Sequence, residues 1–204
     1  MKEIENFITR EEAKYLINMI DRYANKSQVV STGKQMNQYS VARTSYTSNL
    51  VANDPTVETL HQRIAKYLGQ PIHKGESLQG QRYEVGQYFR THKDYFEGIS
   101  YDKNCLSSGN RTHTFMLYLN DNFEGGTTNF PYLKKEIKPV ACKGVVWNNL
   151  QNGYPNEYMQ HSGEEVKLGV KYIITSWWRE NIWNGGADSK EYEQKLKNNQ
   201  LSII

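Results

Sequence analysis

The sequence predicts an α+β, mainly β domain: an antiparallel barrel or jelly roll, cupin-like, buttressed by N-terminal helices. Ahead of residue 76, two stretches space their apolar residues as helices do. From Leu78 onward, aromatic and β-branched runs broken by Gly, Asn and Asp are typical of antiparallel strands. The length of 204 residues suits one domain with a substantial core.

Both predicted helices carry start or stop signals. Thr9 and Glu12 form a capping-box pattern ahead of the first helix. The second begins at Asp54-Pro55, a cap followed by proline at the first helical position, and ends at Gly69. The apolar faces consist of Ala13, Leu16, Ile17, Ile20 and Ala24 in the first helix and Val57, Leu60, Ile64 and Leu68 in the second. We expect both helices to support a sheet.

No linker or internal repeat divides the chain, so we expect a single domain over residues 1–183. Its helical support covers about 1–75 and its barrel about 76–183, and residues 184–204 form a polar tail that we expect to be solvated. The long polar stretch 95–110 is either a mobile lid or disordered, and we interpret it as a substrate lid.

Composition excludes several classes of protein. The net charge is only +3, from 25 basic and 22 acidic residues, which gives no basic surface for nucleic acid. Cys105 and Cys142 lie far apart and predict free thiols, not a zinc site or a disulfide framework. No apolar run has the length of a signal peptide or a membrane span. We therefore expect a soluble protein, cytoplasmic or in a host cell, without nucleic-acid or membrane partners.

Candidate metal ligands are His92 and Asp94, followed much later by His161. A β-strand points residues i and i+2 to the same side, so His92 and Asp94 can hold one ion. Two imidazoles and one carboxylate form the facial triad of ferrous oxygenases, which leaves coordination positions open. With five histidines in 204 residues such a pattern also arises by chance, and a lone histidine is more often a packed or surface residue.

Lys171 strengthens the metal hypothesis. It lies ten residues after His161 and opens the run 171–178, which has the β-branched and aromatic content of a strand. By period two, Ile173, Thr175 and Trp177 share its face. A lysine on such a face requires an anion if it is buried, whereas on an edge strand it would reach solvent.

Four motifs in order then resemble those of the prolyl 4-hydroxylases, the collagen, plant, algal and viral branch of the Fe(II)- and 2-oxoglutarate-dependent dioxygenases. Residues 78–96 resemble the first catalytic strands of that family. The family patterns R-x-x-T-x-L-x-Y-L-N, E-G-G-x-T-x-F-P and H-x-G-x-x-V-x-x-G-x-K have counterparts at 111–120, 124–131 and 161–171.

The resemblance extends weakly to the N-terminus, where residues 4–12 are similar to the family's entry strand and first helix. Arg43-Thr44-Ser45 matches its R-T-S segment. Two departures are Glu165, where proline is common, and Trp147, where phenylalanine is usual. We expect both near the mouth of the site and away from the metal ligands.

The resemblance implies a double-stranded β-helix that binds Fe(II) through His92, Asp94 and His161. It implies 2-oxoglutarate and O2 as cosubstrates, with ascorbate as a further cofactor. Lys171 would pair with the far carboxylate of 2-oxoglutarate, and Tyr83 and Thr114 would donate hydrogen bonds to it. The implied reaction is hydroxylation of peptidyl proline at C4, with release of succinate and CO2.

For the substrate, the resemblance places Trp177 beside the iron and the target proline, and Arg179 on the substrate side. Tyr88 and Arg43 are candidates for a peptide groove. The implied partner is a proline-containing peptide or protein, and we expect a monomer or dimer.

Three alternative functions remain open. The triad specifies the oxidant and not the target, so a lysyl residue or a small molecule is a competing substrate. A nucleic-acid demethylase on the same fold is disfavoured by the modest charge. A non-catalytic barrel that binds metal or sugar is disfavoured by the presence of all three ligands together with Lys171.

Overall fold

A computed structural model describes residues 1–27, 43–50 and 53–197. Within these ranges the protein is mainly β, with antiparallel sheets and few helices. The α-helices are α1 (Arg10–Tyr23), α2 (Pro55–Leu68), α3 (Gly98–Asn104) and α4 (Ala187–Lys197). No helix in the described ranges is long and apolar enough to cross a membrane.

The larger sheet has seven strands, all antiparallel to their neighbours. In spatial order they are β1 (Lys2–Ile4), β10 (Gly144–Asn148), β6 (Arg111–Tyr118), β15 (Lys171–Arg179), β4 (Gln79–Tyr83), β3 (Tyr46–Asn49) and β2 (Asn25–Lys26). Because β1, β2 and β3 precede residue 76, the N-terminal part supplies edge strands as well as helical support.

A smaller antiparallel sheet carries two of the candidate metal ligands. Its strands, in spatial order, are β5 (Phe89–His92), β13 (His161–Gly163), β8 (Thr128–Phe130) and β9 (Lys135–Ile137). Two short antiparallel pairs complete the strands: β11 (Leu150–Gln151) with β12 (Tyr154–Pro155), and β7 (Glu124–Gly125) with β14 (Val166–Leu168).

Both predicted N-terminal helices are confirmed, with their capping signals. The Thr9 side chain accepts from the backbone N–H of Glu12 and the Glu12 side chain accepts from that of Thr9. Asp54 caps α2, which Gly69 ends at a φ of 62°, a left-handed conformation that favours glycine.

The two helices support the larger sheet, as predicted. Their apolar faces share one core with Phe115, Leu117, Ile174 and Trp178 of β6 and β15. The approach to β4 is close, because a Cβ on Gly80 would lie 2.4 Å from Cγ1 of Ile20. A side chain at position 80 would therefore push α1 off the sheet.

The stretch 95–110 and the C-terminal tail differ from the sequence prediction. Residues 98–104 form α3, and residues 187–197 form α4, so the start of the predicted solvated tail is a helix docked on the domain. Asp188 is buried and accepts hydrogen bonds from the backbones of Ser107 and Ser108. The sequence gives no local signal for this contact, which joins segments far apart in the chain. Residues 198–204 of the tail lie outside the described ranges.

Candidate metal centre and cosubstrate pocket

The smaller sheet brings the three predicted metal ligands together. His92 ends β5 and His161 opens β13, and the two residues are paired across the strands. Asp94 follows two positions after the end of β5 and is buried. One ligand atom from each residue lies within 4.8 Å of the others. In the described part of the chain, no other group of three or more His, Asp, Glu or Cys side chains lies close enough together to hold a metal ion.

Hydrogen bonds fix both imidazoles in the form that binds metal. The Nδ1 atoms of His92 and His161 lie 2.9 Å from the carbonyl oxygens of Arg90 and Met159. A carbonyl only accepts, so each Nδ1 carries a proton, and in the neutral imidazole Nε2 is then the nitrogen left to bind a metal. The Nε2 atoms lie 3.6 and 3.8 Å from the Asp94 carboxylate. Burial, with repulsion from His161, lowers the pKa of His92 to about 3, which keeps it neutral.

Asp94 is held as a carboxylate. Burial alone would raise its pKa, but the adjacent His161 and His92 rings, the Arg111 guanidinium and a bond from Thr114 hold the pKa below its usual value. The Thr114 hydroxyl donates to Oδ2 of Asp94 at 2.7 Å. Two neutral imidazole nitrogens and one carboxylate oxygen are the donor set that suits a ferrous ion with open coordination positions. The residues therefore fit the predicted metal.

Lys171 is buried in the wall of the same cavity. Its ammonium donates to the carbonyl of Gly126 at 2.7 Å and lies 5.2 and 5.5 Å from the ring centroids of Tyr83 and Tyr118. Burial lowers its pKa to about 7. The predicted strand face is confirmed, because Ile173, Thr175 and Trp177 line the cavity together with Lys171. The alternative of a lysine that reaches solvent from an edge strand is wrong, since β15 is a central strand.

The structure places Thr114 beside a metal ligand, and its predicted bond to 2-oxoglutarate stays a prediction. This residue is paired with Trp177 on β15 and is not among the side chains that line the cavity. It bonds to Asp94 and accepts from Asn149 at 2.8 Å. Sequence spacing does not predict the bond to Asp94, because it depends on the register between β6 and β15.

Tyr83 lines the cavity beside Lys171, as predicted, but its hydroxyl is already bonded. It donates to Oε1 of Gln81 at 3.1 Å. Two threonines line the cavity within the described residues, Thr128 and Thr175. Thr128 is buried, and its hydroxyl is bonded to the Tyr118 hydroxyl at 2.6 Å. Thr128 stands in the quoted E-G-G-x-T motif, which is the signal that points to it.

Trp177 lines the cavity and is level with Thr114, and its role beside the target proline stays a prediction. The guanidinium of Arg111 lies 4.0 Å from the centroid of its ring. The indole Nε1 of Trp177 is buried and has no hydrogen-bond partner within the described ranges. An indole N–H of this kind is a donor free for a ligand that enters the cavity.

Arg179 is buried and held within the protein, and its predicted place on the substrate side stays a prediction. Its Nε donates to Glu76 at 2.6 Å and its Nη1 to the carbonyl of Gly109 at 2.8 Å. It does not line the cavity. The partner Glu76 lies about a hundred positions earlier, so nothing local in the sequence indicates the ion pair.

Arg43 and Tyr88 lie near the site without lining the cavity. Arg43 is buried, and its guanidinium lies 5.1 Å from the ring centroid of Phe89. Phe89 in turn stacks on His92 with the ring centroids 3.6 Å apart. A role for Arg43 and Tyr88 in a peptide groove stays a prediction.

Trp147 lies deeper than expected. It is buried in the cavity wall, and its ring centroid lies 4.7 Å from that of His161. The expectation that it stands away from the metal ligands is therefore wrong. Its larger ring fills space beside a ligand where the family usually has phenylalanine. Glu165, the other departure, is exposed.

Comparisons with known proteins agree with this geometry. Residues 78–179 match the family model of the 2OG-Fe(II) oxygenase superfamily. The chain is 38% identical over 148 residues to probable prolyl 4-hydroxylase 10 of Arabidopsis thaliana, covering 71% of this chain and 48% of that protein. It is 39% identical over 203 residues to probable prolyl 4-hydroxylase 8 of the same plant, covering 88% of this chain and 68% of the relative.

A solved structure shows the same fold. The viral collagen prolyl hydroxylase of Paramecium bursaria Chlorella virus-1, crystallised as a 2OG complex, aligns with a TM-score of 0.67 and 23% identity over 87% of this chain and 94% of that one. The chain belongs to the 2OG-Fe(II) oxygenase superfamily and, within it, to the prolyl 4-hydroxylase family. It spans about half the length of the first of these relatives.

Proposed function

We propose that this chain is an Fe(II)- and 2-oxoglutarate-dependent dioxygenase that hydroxylates peptidyl proline at C4 and releases succinate and CO2. One observation carries the proposal: the His92, Asp94 and His161 cluster and the buried Lys171 line one cavity. A metal-binding barrel without catalysis has no need for a buried cation facing the metal site. The family relationship supports the reaction class.

The side chains divide the work between metal, cosubstrate and substrate. His92, Asp94 and His161 would hold the metal, which together with 2-oxoglutarate and O2 supplies the oxidising chemistry. Lys171 would form a charge-assisted bond to the far carboxylate of 2-oxoglutarate, which fixes the length and orientation of the cosubstrate. Trp147 and Phe130, both packed against His161, would exclude water behind that ligand.

Trp177 would contact the target proline. It stands at the end of β15 that is level with Thr114 and Asp94, which is the metal end of the cavity. The guanidinium of Arg111 lies 4.0 Å from the centroid of the Trp177 ring. This cation–π contact would hold the indole where a substrate proline reaches the metal.

Further features complete the proposal. The larger and smaller sheets would form a double-stranded β-helix over about 76–183, to which the N-terminal strands and helices add. Ascorbate would sustain turnover as a reductant, and the protein would act as a monomer or dimer. The substrate would be a proline-containing peptide or protein.

The test is succinate formation by Fe(II)-loaded protein with 2-oxoglutarate, with and without proline-containing peptides. We expect turnover that the peptide stimulates and a gain of one oxygen on proline by mass spectrometry. His161→Ala should abolish both, whereas His73→Ala, which removes an exposed histidine outside the cluster, should change neither.

Two other results would revise the proposal. Turnover that depends on His161 but that no proline peptide stimulates would keep the oxygenase and discard the substrate, in favour of a lysyl residue or a small molecule. No succinate from protein that has bound iron would contradict the enzyme itself.

A further inference from the structure

Gln81 is a polar side chain buried in the wall of the cavity. Gln81 lies on β4 and is 3% exposed. Its amide stands between the side chains of Tyr83, on the same strand, and Thr175, on β15, and all three side chains line the cavity. Its Nε2 donates to Oγ1 of Thr175 at 2.9 Å, and its Oε1 accepts from the Tyr83 hydroxyl at 3.1 Å. One amide therefore bridges two hydroxyl groups of the cavity.

A glutamine amide has one donor end and one acceptor end, whereas a hydroxyl has a single proton. The hydroxyl at the oxygen end must donate its proton to the amide. The hydroxyl at the nitrogen end accepts and keeps its own proton for another partner. Whichever way the amide is turned, one of the two hydroxyls is a donor for a ligand in the cavity and the other is not.

The orientation of the amide follows from Arg43. Both Nη atoms of Arg43 approach Oε1 of Gln79, at 3.4 and 3.3 Å. A guanidinium can only donate, so the atom of Gln79 that faces it must be the oxygen. The same oxygen lies 3.4 Å from Nε2 of Gln81. Because this oxygen can only accept, the NH2 end of the Gln81 amide must be the end that faces Gln79. The Oε1 of Gln81 then faces Tyr83.

We propose that Gln81 is a positioning residue of the cosubstrate pocket. Its Oε1 accepts the hydroxyl proton of Tyr83, and its Nε2 donates to Thr175, which leaves the Thr175 proton free to bond to a ligand. The inference rests on the proposed function, since the ligand concerned is 2-oxoglutarate. Within the described part of the chain, the Thr175 hydroxyl has no acceptor for its proton, although it lines the cavity. Thr175, and not Tyr83, is then the hydroxyl that donates to the ligand.

Thr175 lies at a suitable depth for this role. It lies on the same face of β15 as Lys171 and Trp177, between the two, and all three side chains line the cavity. Trp177 is level with Thr114, which bonds to Asp94. The Lys171 ammonium lies 3.9 Å from where a Cβ on Gly163 of β13 would stand, so a short ligand held between the metal cluster and Lys171 would lie in the same cavity as the Thr175 hydroxyl.

The test is the dissociation constant of 2-oxoglutarate for Fe(II)-loaded protein, measured by calorimetry without oxygen. Removing a hydrogen bond to a charged ligand weakens binding about tenfold. We expect Thr175→Val to weaken binding by about that factor and by at least fivefold more than Tyr83→Phe. An equal or larger loss with Tyr83→Phe would overturn the proposal. This pair of variants leaves Gln81 in place and decides the matter even where a Gln81 variant does not fold.

The second measurement repeats the pair in a Gln81→Leu background. Without the amide, the Tyr83 proton is released, so Tyr83→Phe should now weaken 2-oxoglutarate binding about tenfold. Unchanged effects of both variants in this background would show that Gln81 does not assign the protons. If the wild-type protein binds Fe(II) but no 2-oxoglutarate, the proposed function fails and the inference fails with it. If the wild-type protein binds 2-oxoglutarate but Tyr83→Phe weakens that binding as much as Thr175→Val does, the inference about Gln81 fails and the proposed function stands.

Discussion

Lys171 is the residue whose chemistry depends most on burial. In the described ranges its ammonium is bonded to a single carbonyl, that of Gly126, and burial lowers its pKa to about 7. The free protein therefore loses this proton near neutral pH. A bound carboxylate stabilises the ammonium and raises the pKa again, so ligand binding and protonation are linked.

The consequence is a pH-dependent affinity for 2-oxoglutarate. Below about pH 7 the amine is charged and the affinity should be constant. Above it the free protein must gain a proton on binding, so the affinity should fall by up to tenfold per pH unit. Calorimetry between pH 6 and 9 measures this. Lys171→Met, which removes the charge, should bind weakly and without this slope, and a flat profile in the wild type would contradict the linkage.

Thr114 supports a metal ligand, although the sequence resemblance assigns it to the cosubstrate. Its proton is directed at Asp94 because Asn149 donates to the same hydroxyl. Groups that hydrogen-bond a metal ligand typically contribute 10- to 100-fold in metal affinity. We expect Thr114→Val to weaken Fe(II) binding by about that factor, measured by competition with a chelator.

Thr112→Val is the matched control for Thr114. Thr112 lies on β6, as Thr114 does, and its hydroxyl donates to the Trp178 carbonyl of β15, so metal affinity should not change. An unchanged affinity in Thr114→Val, with 2-oxoglutarate binding lost instead, would restore the role that the resemblance implies.

At the level of elements, α4 holds α3 against the domain. Asp188 accepts from the hydroxyl and the backbone N–H of Ser107 and from the backbone N–H of Ser108. Lys103 of α3 also pairs with Glu193 of α4 at 2.7 Å. The stretch 95–110 is therefore fixed at its C-terminal end, and any movement as a lid would have to break the bonds to Asp188.

Removing Asp188 should release this stretch. A hydrogen bond to a buried charged group contributes about 1.5–3 kcal/mol, so we expect Asp188→Ala to lower the free energy of unfolding by about 2 kcal/mol. Amide hydrogen exchange should accelerate over 98–110 before the rest of the chain. Lys103→Ala, which breaks the more exposed ion pair, should cost less than about 1 kcal/mol.

Acid should have the same effect as the substitution. Burial raises the pKa of Asp188, but the bonds from Ser107, Ser108 and Asn184 outweigh it and hold the pKa below its ordinary value of 3.8. Because the folded-state pKa is the lower one, the contribution of Asp188 is present above about pH 4 and is lost as the pH falls further. Equal exchange of 98–110 in Asp188→Ala and wild type would contradict the role of α4.

At the level of the whole molecule, the sequence predicts what depends on local pattern. The caps at Thr9 and Asp54 and the shared face of Lys171 and Trp177 follow from helix and strand periodicity, and the structure has all of them. The metal cluster is predicted as well, since strand return brings His161 beside His92.

What the sequence does not predict depends on register and on distant partners. The position of Thr114 depends on which residue of β15 it faces. The burial of Arg179 depends on Glu76, which lies in a different segment. The helix α4 is bonded through Asp188 to Ser107 and Ser108, which follow α3, and through Glu193 to Lys103 of α3. Such contacts have no periodic signature.

Glu76 connects these distant parts into one structure. Its carboxylate accepts from Nε and Nη2 of Arg111 at 2.7 and 2.8 Å and from Nε of Arg179 at 2.6 Å. Its backbone N–H donates to the carbonyl of Trp177. The residue thus joins the segment after α2 to β6 and β15, and through Arg111 it holds the ring of Trp177. Burial opposes ionisation, but the two arginines hold the pKa of Glu76 below its usual value.

Breaking this ion pair should destabilise the protein strongly, because two buried guanidinium groups would lose their counter-charge. Removing one partner of a buried pair typically costs 3–5 kcal/mol, and we expect Glu76→Gln to lower the free energy of unfolding in urea by about that amount. Glu97→Gln, which breaks the exposed pair with Lys93, should cost about 1 kcal/mol or less. Similar costs for the two variants would mean that water replaces the carboxylate at Arg111 and Arg179, and that the ion pair does not hold the sheet and Trp177 together.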